Sequence, residues 1–368
     1  MDKENLISYI QLANTSGIGP IGFKRAVERY GSVNNAIKEI SLKKKILPRN
    51  KAEEELMKAE IKGVKIITKE DDIYPYNLRQ IEDCPPILYA LGNVDLLANN
   101  NMLAVVGSRS ASLSALKYAE YLSSKAGEEG ITIVSGLARG VDAAAHMGAI
   151  NTKGGTIAVL GTGIDEIYPK ENEKMYRDIS QKGLILSEYP FHTKPQASNF
   201  PRRNRIVSGL SKGVLLVEAG VQSGSMITAN QALEQGRDVF AIPGAPYDGR
   251  SAGCNKLIKE GAYLVNDIED IINNFNFYQQ VFVPQKVNKN EQADLFEYSL
   301  DITKNNSDIA DADDEYNKLL SLISESGEGI DELIRASNLP TEKVLTMIVE
   351  LELEDKIIRL PGNKIAKA

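Results

Sequence analysis

The sequence is poor in the residues from which most metal and disulfide sites are built. It has only two cysteines, Cys84 and Cys254, and two histidines, His146 and His192, among 368 residues. The cysteines stand far apart, which excludes a cysteine zinc cluster and indicates a reducing compartment. With so few histidines as well, we expect neither a bound metal nor a cofactor.

The sequence also lacks a run of the roughly 18 apolar residues that a membrane span requires. Its start, MDKENLISYI, has no basic segment leading into such a run, so we expect a cytoplasmic protein with no membrane partner. A formal net charge of -7 excludes a protein that coats nucleic acid by bulk positive charge. A polyanion would therefore have to bind at a local basic patch.

Two nucleotide-binding motifs are absent. No G-x-G-x-x-G opens a helix after the first strand of a repeating unit, and no G-x-x-x-x-G-K-[ST] occurs, so the dinucleotide fingerprint and the Walker A loop are both missing. The GTG at 161–163 is a partial match of little weight.

Residues 1–60 carry apolar positions at helical spacing and predict a small helical domain. The turn GIGP at 17–20 is similar to that of helix-hairpin-helix and SAM-like domains, where amides at a helix start can hold a DNA phosphate. A tight turn between packed helices explains the same residues and is the favoured interpretation.

Residues 61–275 contain nine short runs that are apolar at nearly every position and alternate with helical stretches. Because such runs belong to strands buried on both faces, they predict a parallel, Rossmann-like sheet covered by helices on each side. The runs are VKIIT, ILYAL, MLAVVG, ITIVSG, TIAVLG, LILSEY, GVLLVEA, DVFAIPG and AYLV.

Two further segments follow. Residues 276–312 are rich in Asn, Gln, Asp and Lys without a sustained period, and predict a flexible linker. Residues 313–368 show three amphipathic helices and a strand-turn-strand, the pattern of a winged helix. From 311 to 368 there are thirteen acidic against seven basic residues, which favours a protein-interaction or regulatory role over duplex DNA binding.

Glycine-rich loops follow four of the apolar runs, where an open parallel sheet places its ligand. Two of the loops also carry arginine, whose planar fork of donors matches phosphate, so a phosphate-lined cleft is favoured over glycine that serves turn geometry alone. The residues in question are Gly107, Ser108, Arg109, Gly136, Arg139, Gly140, Gly161, Gly163, Gly224 and Ser225.

Catalytic candidates are few. Asp142 and His146 stand four positions apart and share a helix face, but no nucleophile with a sequence signature accompanies them, so a packing pair is favoured over an acid-base pair. Glu218, at the end of LLVEA, could either contact a ribose hydroxyl or cap a neighbouring loop. We therefore predict no catalytic residue and no enzymatic activity.

The basic stretch NFPRRNRIVSGLS at 199–211 holds Arg202, Arg203 and Arg205. On a helical wheel of about 100° per residue, Arg203 falls inside the apolar arc, while the other two lie to one side of it. The wheel predicts solvent-side phosphate contacts for Arg202 and Arg205 and a partly structural role for Arg203. Phe200 at the loop mouth could stack on a base or act as a hydrophobic staple.

Several ordered blocks closely resemble the DNA-processing protein A family, also called DprA or Smf. The likeness covers roughly residues 61–275, and the flanking helical and winged-helix segments fit the same family. The blocks are GSR at 107–109, SGLARGVDAAAH at 135–146, GTGIDEIYPKEN at 161–172, SEYP at 187–190, NFPRRNRIVSGLS, VEAGVQSGSMITA at 217–229 and GRDVFAIPG at 236–244.

The resemblance implies a non-catalytic cytoplasmic protein that binds and protects incoming single-stranded DNA in natural transformation. It also implies a homodimer formed through the extended Rossmann-like domain, and help in loading the recombinase RecA. Carried over by position, Arg109, Lys170 and Phe200 would form the strand-binding pocket. Beside them would lie Gly107, Ser108, Gly136, Asn199, Arg202, Arg203 and Arg205.

One position departs from the family pattern. Members can carry a lysine three residues before the phenylalanine, whereas this chain has Ala197 there and Lys194 nearby. Either Lys194 replaces that lysine, or the chain binds DNA more weakly than members that carry it. The competing hypothesis for the whole chain is a sensor or hydrolase of a small nucleotide bound in the glycine-lined cleft.

Overall fold

The computed structural model describes residues 2–282, 319–324, 328–337, 339–353, 356–360 and 364–367. It divides into two compact units, Met1–Phe282 and Val283–Ala368. No helix in the described ranges combines the length and the apolar character that a membrane crossing requires.

Four helices open the first unit, as the spacing predicted, and their ends follow ordinary capping chemistry. The Asp2 side chain accepts a hydrogen bond from the Asn5 amide, and Pro20 occupies the first turn of the second helix. Their apolar faces share one core with strand residues such as Tyr89 and Ile185, so helices and sheet form a single compact unit. The helices are α1 (Lys3–Ala13), α2 (Pro20–Tyr30), α3 (Val33–Ser41) and α4 (Arg49–Lys62).

All nine predicted runs form strands of one nine-stranded sheet, in the order β1-β2-β6-β5-β4-β3-β7-β8-β9. The sheet is parallel from β6 through β9, which confirms the predicted class, whereas β2 runs antiparallel to both of its neighbours. The strands are β1 (Lys65–Thr68), β2 (Ile87–Gly92), β3 (Met102–Gly107), β4 (Thr132–Ser135), β5 (Thr156–Gly163), β6 (Leu184–Tyr189), β7 (Gly213–Val217), β8 (Asp238–Ala241) and β9 (Tyr263–Leu264).

Helices cover both faces of the sheet, which is why the central strands are apolar at consecutive positions. Ala104 and Val106 pack into one core, while Leu103 and Val105 pack into another on the opposite face. The helices are α5 (Tyr76–Arg79), α6 (Leu113–Glu128), α7 (Val141–Ala149), α8 (Glu173–Lys182), α9 (Asn199–Leu210), α10 (Gly224–Glu234), α11 (Ala252–Lys259) and α12 (Glu269–Phe282), with short 3-10 helices at Val94–Ala98 and Lys170–Asn172.

The strand order reverses between β3 and β7. From β3 the chain moves outward through β4, β5 and β6, then returns so that β7 pairs with β3 on its other side. The loops after β3 and β7 therefore leave in opposite directions and open a crevice at the carboxyl edge of the sheet, where open α/β sheets bind ligands.

Residues 276–282 of the predicted linker belong to helix α12. Helix α12 runs through Phe282, because Ile271 and Phe275 anchor it in the core beside β8. The rest of the predicted linker, 283–312, lies outside the described residues, and the proposed domain boundaries stay predictions.

The second unit contains a three-stranded sheet of order β10-β12-β11 and two helices that follow the described helical residues 319–322. Its core includes Leu319, Leu333 and Ile348. The two helices and the antiparallel hairpin that follows them agree with the predicted winged helix. The elements are β10 (Glu328–Gly329), α13 (Ile330–Ser337), α14 (Thr341–Leu353), β11 (Ile357–Leu360) and β12 (Lys364–Lys367).

Candidate nucleic-acid interface

An aromatic pair beside an arginine lies at the carboxyl edge of the sheet. The rings of Tyr168 and Phe200 are 5.3 Å apart between centroids and tilted by 35°. The Arg109 guanidinium lies 6.0 Å from the centroid of Phe200, within the range of a cation-π contact. Arg109 and Tyr168 are exposed and Phe200 is half-buried, so the cluster presents flat surface and positive charge to solvent.

The fold places these three side chains from three separate loops. Arg109 follows β3, Tyr168 follows β5, and Phe200 stands in the first turn of α9, one residue before Pro201. Phe200 rests directly on Gly161 of β5, where an added Cβ would come within 2.9 Å of the ring. The Phe200 ring therefore packs against the sheet backbone and lies next to Arg109 and Tyr168. Part of the ring stays exposed to solvent.

The crevice at the strand-order reversal is a cleft of about 670 Å³. It brings together seven predicted site positions, from the loop after β3 and from the starts of α9 and α10. At the start of α10 the Ser223 and Ser225 hydroxyls lie 2.9 Å apart. The predicted positions on its wall are Gly107, Ser108, Arg109, Phe200, Arg203, Gly224 and Ser225; Ala138, Asp142, Tyr168, Ala197, Asn204 and Thr228 also line it.

Arg203 is an interior residue, as the helical wheel indicated. It is 4% exposed, and its Nη1 donates to the carbonyls of Gly136, at 2.6 Å, and Val159. An added Cβ on Gly136 would come within 2.3 Å of the guanidinium, so this glycine makes room for the arginine. Burial lowers the pKa of Arg203, and the nearby Asp142 carboxylate partly offsets that effect.

The solvent-side prediction for Arg205 is wrong. Its side chain is 5% exposed and pairs with Asp83, 3.1 Å from Nε, and with the buried Glu188. Burial raises the pKa of Glu188, and Arg205 opposes that rise more than any other charge. The wheel failed because it located the apolar arc of α9 but not the two acidic residues that other segments bring against the helix, Asp83 from a loop and Glu188 from β6.

The remaining predicted cations are exposed but differ in their partners. Lys194 pairs with Glu166 at 2.7 Å, and Arg139 lies 3.8 Å from Glu171. Arg202 is exposed and lies at the boundary between α9 and the helical segment. Lys170 is exposed in the short helix after Tyr168, and Asn199 is buried at the start of α9. Whether each contacts DNA stays a prediction.

Some of the loop glycines are explained by close packing. A Cβ on Gly107 would lie 2.0 Å from the Val217 carbonyl oxygen, and one on Gly163 would lie 2.6 Å from the Pro190 carbonyl oxygen. Gly140 has φ 77°, and a Cβ there would lie 2.3 Å from the Ser108 carbonyl oxygen. Turn and packing geometry thus explains some of the loop glycines from which the sequence predicted a phosphate cleft.

Glu218 caps a loop, the second of the two roles considered for it. Its carboxylate accepts hydrogen bonds from the Ser112 amide, at 2.8 Å, and from the Ser112 hydroxyl, at 2.5 Å. It thereby fixes the segment that links Arg109 to α6.

Asp142 and His146 have separate structural partners, as the packing interpretation predicted. Asp142 accepts from the amides of Gly136 and Ala138, and burial raises its pKa. His146 is fully buried with Nδ1 2.7 Å from the Thr156 hydroxyl, and burial lowers its pKa to about 3.

Sequence reasoning missed Tyr168 as part of the site. The available signal was its position in EIYPKEN, directly before Pro169 and two residues before a predicted contact. It also missed a cluster of Asp165, Glu166 and His192, whose potential metal-ligand atoms lie within 4.8 Å of one another. There Asp165 pairs with His192 at 2.8 Å, while Glu166 is held by Lys194.

Comparison with known families assigns the chain. The model of the family described as DNA recombination-mediator protein A matches residues 65–276, more than half of the sequence. The chain belongs to this family. A second model, the DprA winged helix domain, matches residues 304–363, which establishes the class of the second unit.

Relatives within the DprA family cover most of the chain. The sequence is 36% identical to protein Smf of Escherichia coli over 319 residues, 86% of this chain and 81% of that one. It is 48% identical to the DNA processing protein DprA of Streptococcus pneumoniae over 207 residues, 56% of this chain and 73% of that one.

Solved structures agree. The crystal structure of Streptococcus pneumoniae DprA matches with a TM-score of 0.64 and 37% identity, over 74% of this chain and 98% of that one. DNA processing protein A from Helicobacter pylori, reported for its unique single-stranded DNA binding mode, matches with a TM-score of 0.53 and 31% identity, over 58% of this chain and 95% of that one.

Proposed function

We propose that this chain binds single-stranded DNA through the carboxyl edge of its sheet and acts as a recombination mediator. The observation that carries the proposal is the cluster of Tyr168, Phe200 and Arg109, in which exposed aromatic surface adjoins an exposed guanidinium. A base can stack on such a ring while arginine holds the neighbouring phosphate. The single-stranded DNA binding of the Helicobacter pylori relative supports the same assignment.

A single strand suits this surface better than a duplex does. Bases in a duplex are stacked on one another and cannot lie against Phe200 without being unstacked first, at a cost of a few kcal/mol. The net charge of -7 also provides little long-range attraction for the dense charge of a duplex.

We further propose that the protein is not an enzyme. The acidic side chain on the wall of the cleft, Asp142, is fully engaged by backbone amides and by the nearby Arg203. His146 is enclosed behind it and too weakly basic to accept a proton near neutral pH. A strand held here would be delivered to a partner unchanged.

Family membership supports the proposed partners. These are the recombinase RecA, which would be loaded onto the bound strand in transformation and recombination, and a second copy of this chain in a homodimer. The acidic winged helix would serve protein contacts, because a net negative domain repels DNA phosphates.

Fluorescence anisotropy with single- and double-stranded oligonucleotides of equal length, across a salt series, tests the DNA assignment. We expect single strands to bind more tightly, without nucleotide or metal. The logarithm of affinity should fall with the logarithm of salt by about 0.7 per phosphate contacted. Equal binding of both forms, or no binding of either, would contradict the proposal.

The 670 Å³ cleft favours a second candidate, a small nucleotide. The start of α10 carries the Ser223 and Ser225 hydroxyls toward it, and a helix start with hydroxyl donors suits a phosphate. A thermal-shift screen separates the candidates. Saturable stabilisation by a mononucleotide, without oligonucleotide binding, would place this function first.

A further inference from the structure

The start of α10 is a helix end whose polar groups the fold leaves unused. The Ser223 side chain makes no capping hydrogen bond, and within the described part of the chain the amides of Gly224 and Ser225 donate to no acceptor. The Ser223 and Ser225 hydroxyls lie 2.9 Å apart, and all three residues line the 670 Å³ cleft. Unpaired amides at the start of an 11-residue helix attract an anion, above all a phosphate.

A buried hydroxyl one turn further along α10 indicates a ligand independently of the helix end. Thr228 is 2% exposed and lines the same cleft. Its hydroxyl has no hydrogen-bond partner among the described residues, yet it is not one of the side-chain atoms that the fold seals completely. Because Thr228 stands four positions after Gly224 and three after Ser225, the three residues share one face of the helix. A buried hydroxyl without a partner is unfavourable, and beside free amides it suits a ligand rich in acceptor oxygens.

Gly224 lacks the reasons that explain other loop glycines. A Cβ at Gly107 or Gly163 would clash with a carbonyl oxygen, and Gly140 has a positive φ. A Cβ at Gly224 would meet no heavy atom within 4 Å, and its φ lies outside the left-handed region. The fold therefore tolerates a side chain at this position. The lack of one leaves the first amide of α10 open to the close approach of a ligand.

The cleft has the size and the charge for a small phosphate ester. Its volume of about 670 Å³ is ordinary for a pocket that holds a small molecule. The charged residues that line it in the described part of the chain are Arg109 and Arg203 against Asp142, so its field favours an anion. Tyr168 and Phe200 line it as well. A ligand with its phosphate at the start of α10 can therefore lay a base against the aromatic pair.

We propose that the start of α10 is a phosphate subsite for a nucleoside monophosphate, which competes with the DNA strand for the aromatic pair. The competition rests on the proposed function, whereas the subsite does not, and the two ligands bind one protein instead of being alternatives. A phosphate monoester offers three terminal oxygens to the two amides and three hydroxyls of α10. A phosphodiester within a strand offers only two, and its ester bonds lead on to further nucleotides. The terminal phosphate is therefore the group that fits against the buried Thr228 hydroxyl.

Competition anisotropy tests the proposal with labelled oligo-dT and unlabelled thymidine 5′-monophosphate, thymidine or inorganic phosphate. Ionic strength is held constant, because salt alone weakens strand binding. The monophosphate carries the same base as the strand, so base preference plays no part. It should displace oligo-dT saturably and roughly tenfold more effectively than thymidine or inorganic phosphate, since neither of these joins a phosphate to a base. Calorimetric titration with the monophosphate alone measures the subsite without the strand.

Two variants locate the subsite on α10. Thr228→Val removes the unpaired hydroxyl, so it should keep the midpoint of thermal unfolding and weaken the monophosphate by roughly tenfold, the worth of one hydrogen bond to a charged group. Gly224→Asp places an acid in the first turn of α10, where it suits the helix dipole but repels a phosphate, and should abolish monophosphate binding. Its matched control, Asn50→Asp, adds the same charge to the first turn of α4 and should leave that binding unchanged.

Four outcomes would contradict parts of the proposal. Displacement by the monophosphate no better than by thymidine, with oligo-dT still bound, overturns this inference alone. Unchanged monophosphate binding in Thr228→Val and Gly224→Asp overturns the assignment to α10. Displacement by inorganic phosphate as effective as by the monophosphate overturns the nucleotide as the ligand. Loss of oligo-dT binding in the wild type, with the monophosphate still bound in calorimetry, overturns the proposed function and the competition but supports the subsite.

Discussion

Two faces of α9 carry arginines that stand only a few positions apart and have opposite environments. At the solvent-facing start, Arg202 is exposed beside the half-buried Phe200. On the inward face of the same stretch, Arg203 and Arg205 are each 4% exposed and pair with carbonyls and carboxylates. The basic cluster in the sequence therefore has two parts. The rim, Phe200 and Arg202 with the neighbouring Arg109, meets solvent, and the interior set, Arg203 and Arg205, fixes α9 on the sheet.

The largest effect should come from the interior set. Arg205→Met keeps volume but leaves the buried Glu188 without its cation, and we expect a loss of about 3–5 kcal/mol in the free energy of unfolding. Denaturant unfolding measures it. Arg202→Met, the exposed control in the same helix, should stay within about 0.5 kcal/mol. Equal losses in the two variants would erase the distinction between rim and interior.

The rim should control binding with little effect on stability. Phe200→Ala removes the stacking ring and should weaken single-strand binding by roughly 1–3 kcal/mol. Phe200→Leu keeps apolar packing against Gly161 without a π face, so it separates stacking from packing. If Phe200→Leu binds oligo-dT as tightly as the wild type, the ring is a packing residue and the rim loses its aromatic contact.

The interior also contains a pH-sensitive group. His146 has a pKa of about 3 in the folded chain against an ordinary value of 6.5, so as pH falls below about 6.5 the unfolded chain takes up the proton first. The stability from the neutral imidazole is complete above that pH and falls by at most about 1.4 kcal/mol per pH unit toward pH 3. The pH dependence of unfolding should be steeper for the wild type than for His146→Leu. Parallel profiles would show that His146 is not buried neutral.

The smallest effect concerns one phosphate. Arg109→Ala should reduce the log-log salt slope by about 0.7, with a modest loss of affinity at physiological salt. Lys153→Ala removes the same charge from the opposite edge of the sheet and should leave the slope unchanged. Equal slopes for both variants would mean that the charge of the rim acts at long range and not by contact.

The fold was largely readable from the sequence because burial on both faces leaves a continuous apolar run. All nine runs, from VKIIT to AYLV, form strands of the sheet. The antiparallel direction of β2 was not readable, since the run ILYAL is apolar whichever way it points. The extension of helix α12 to Phe282 was missed because NFNFYQQVF mixes polar and apolar residues without a clear helical stripe.

The site was predictable where local pattern decides it. Arg203 inside the apolar arc and Arg109 after a strand needed only a wheel and the strand order. The burial of Arg205 depends on Asp83, in a loop, and on Glu188, in β6, and no pattern in the sequence near residue 205 indicates these partners. Contacts between distant segments are what a single sequence conceals.

Gly161 has a consequence beyond packing. The ring of Phe200 lies on the bare backbone of β5, so its height above the sheet is set by the absence of one methyl group. Gly161 is buried, yet it determines how far the Phe200 ring stands out on the proposed binding surface. Chemical tuning of that surface, in nature or in the laboratory, can proceed from below, by lifting the ring and leaving every exposed side chain unchanged.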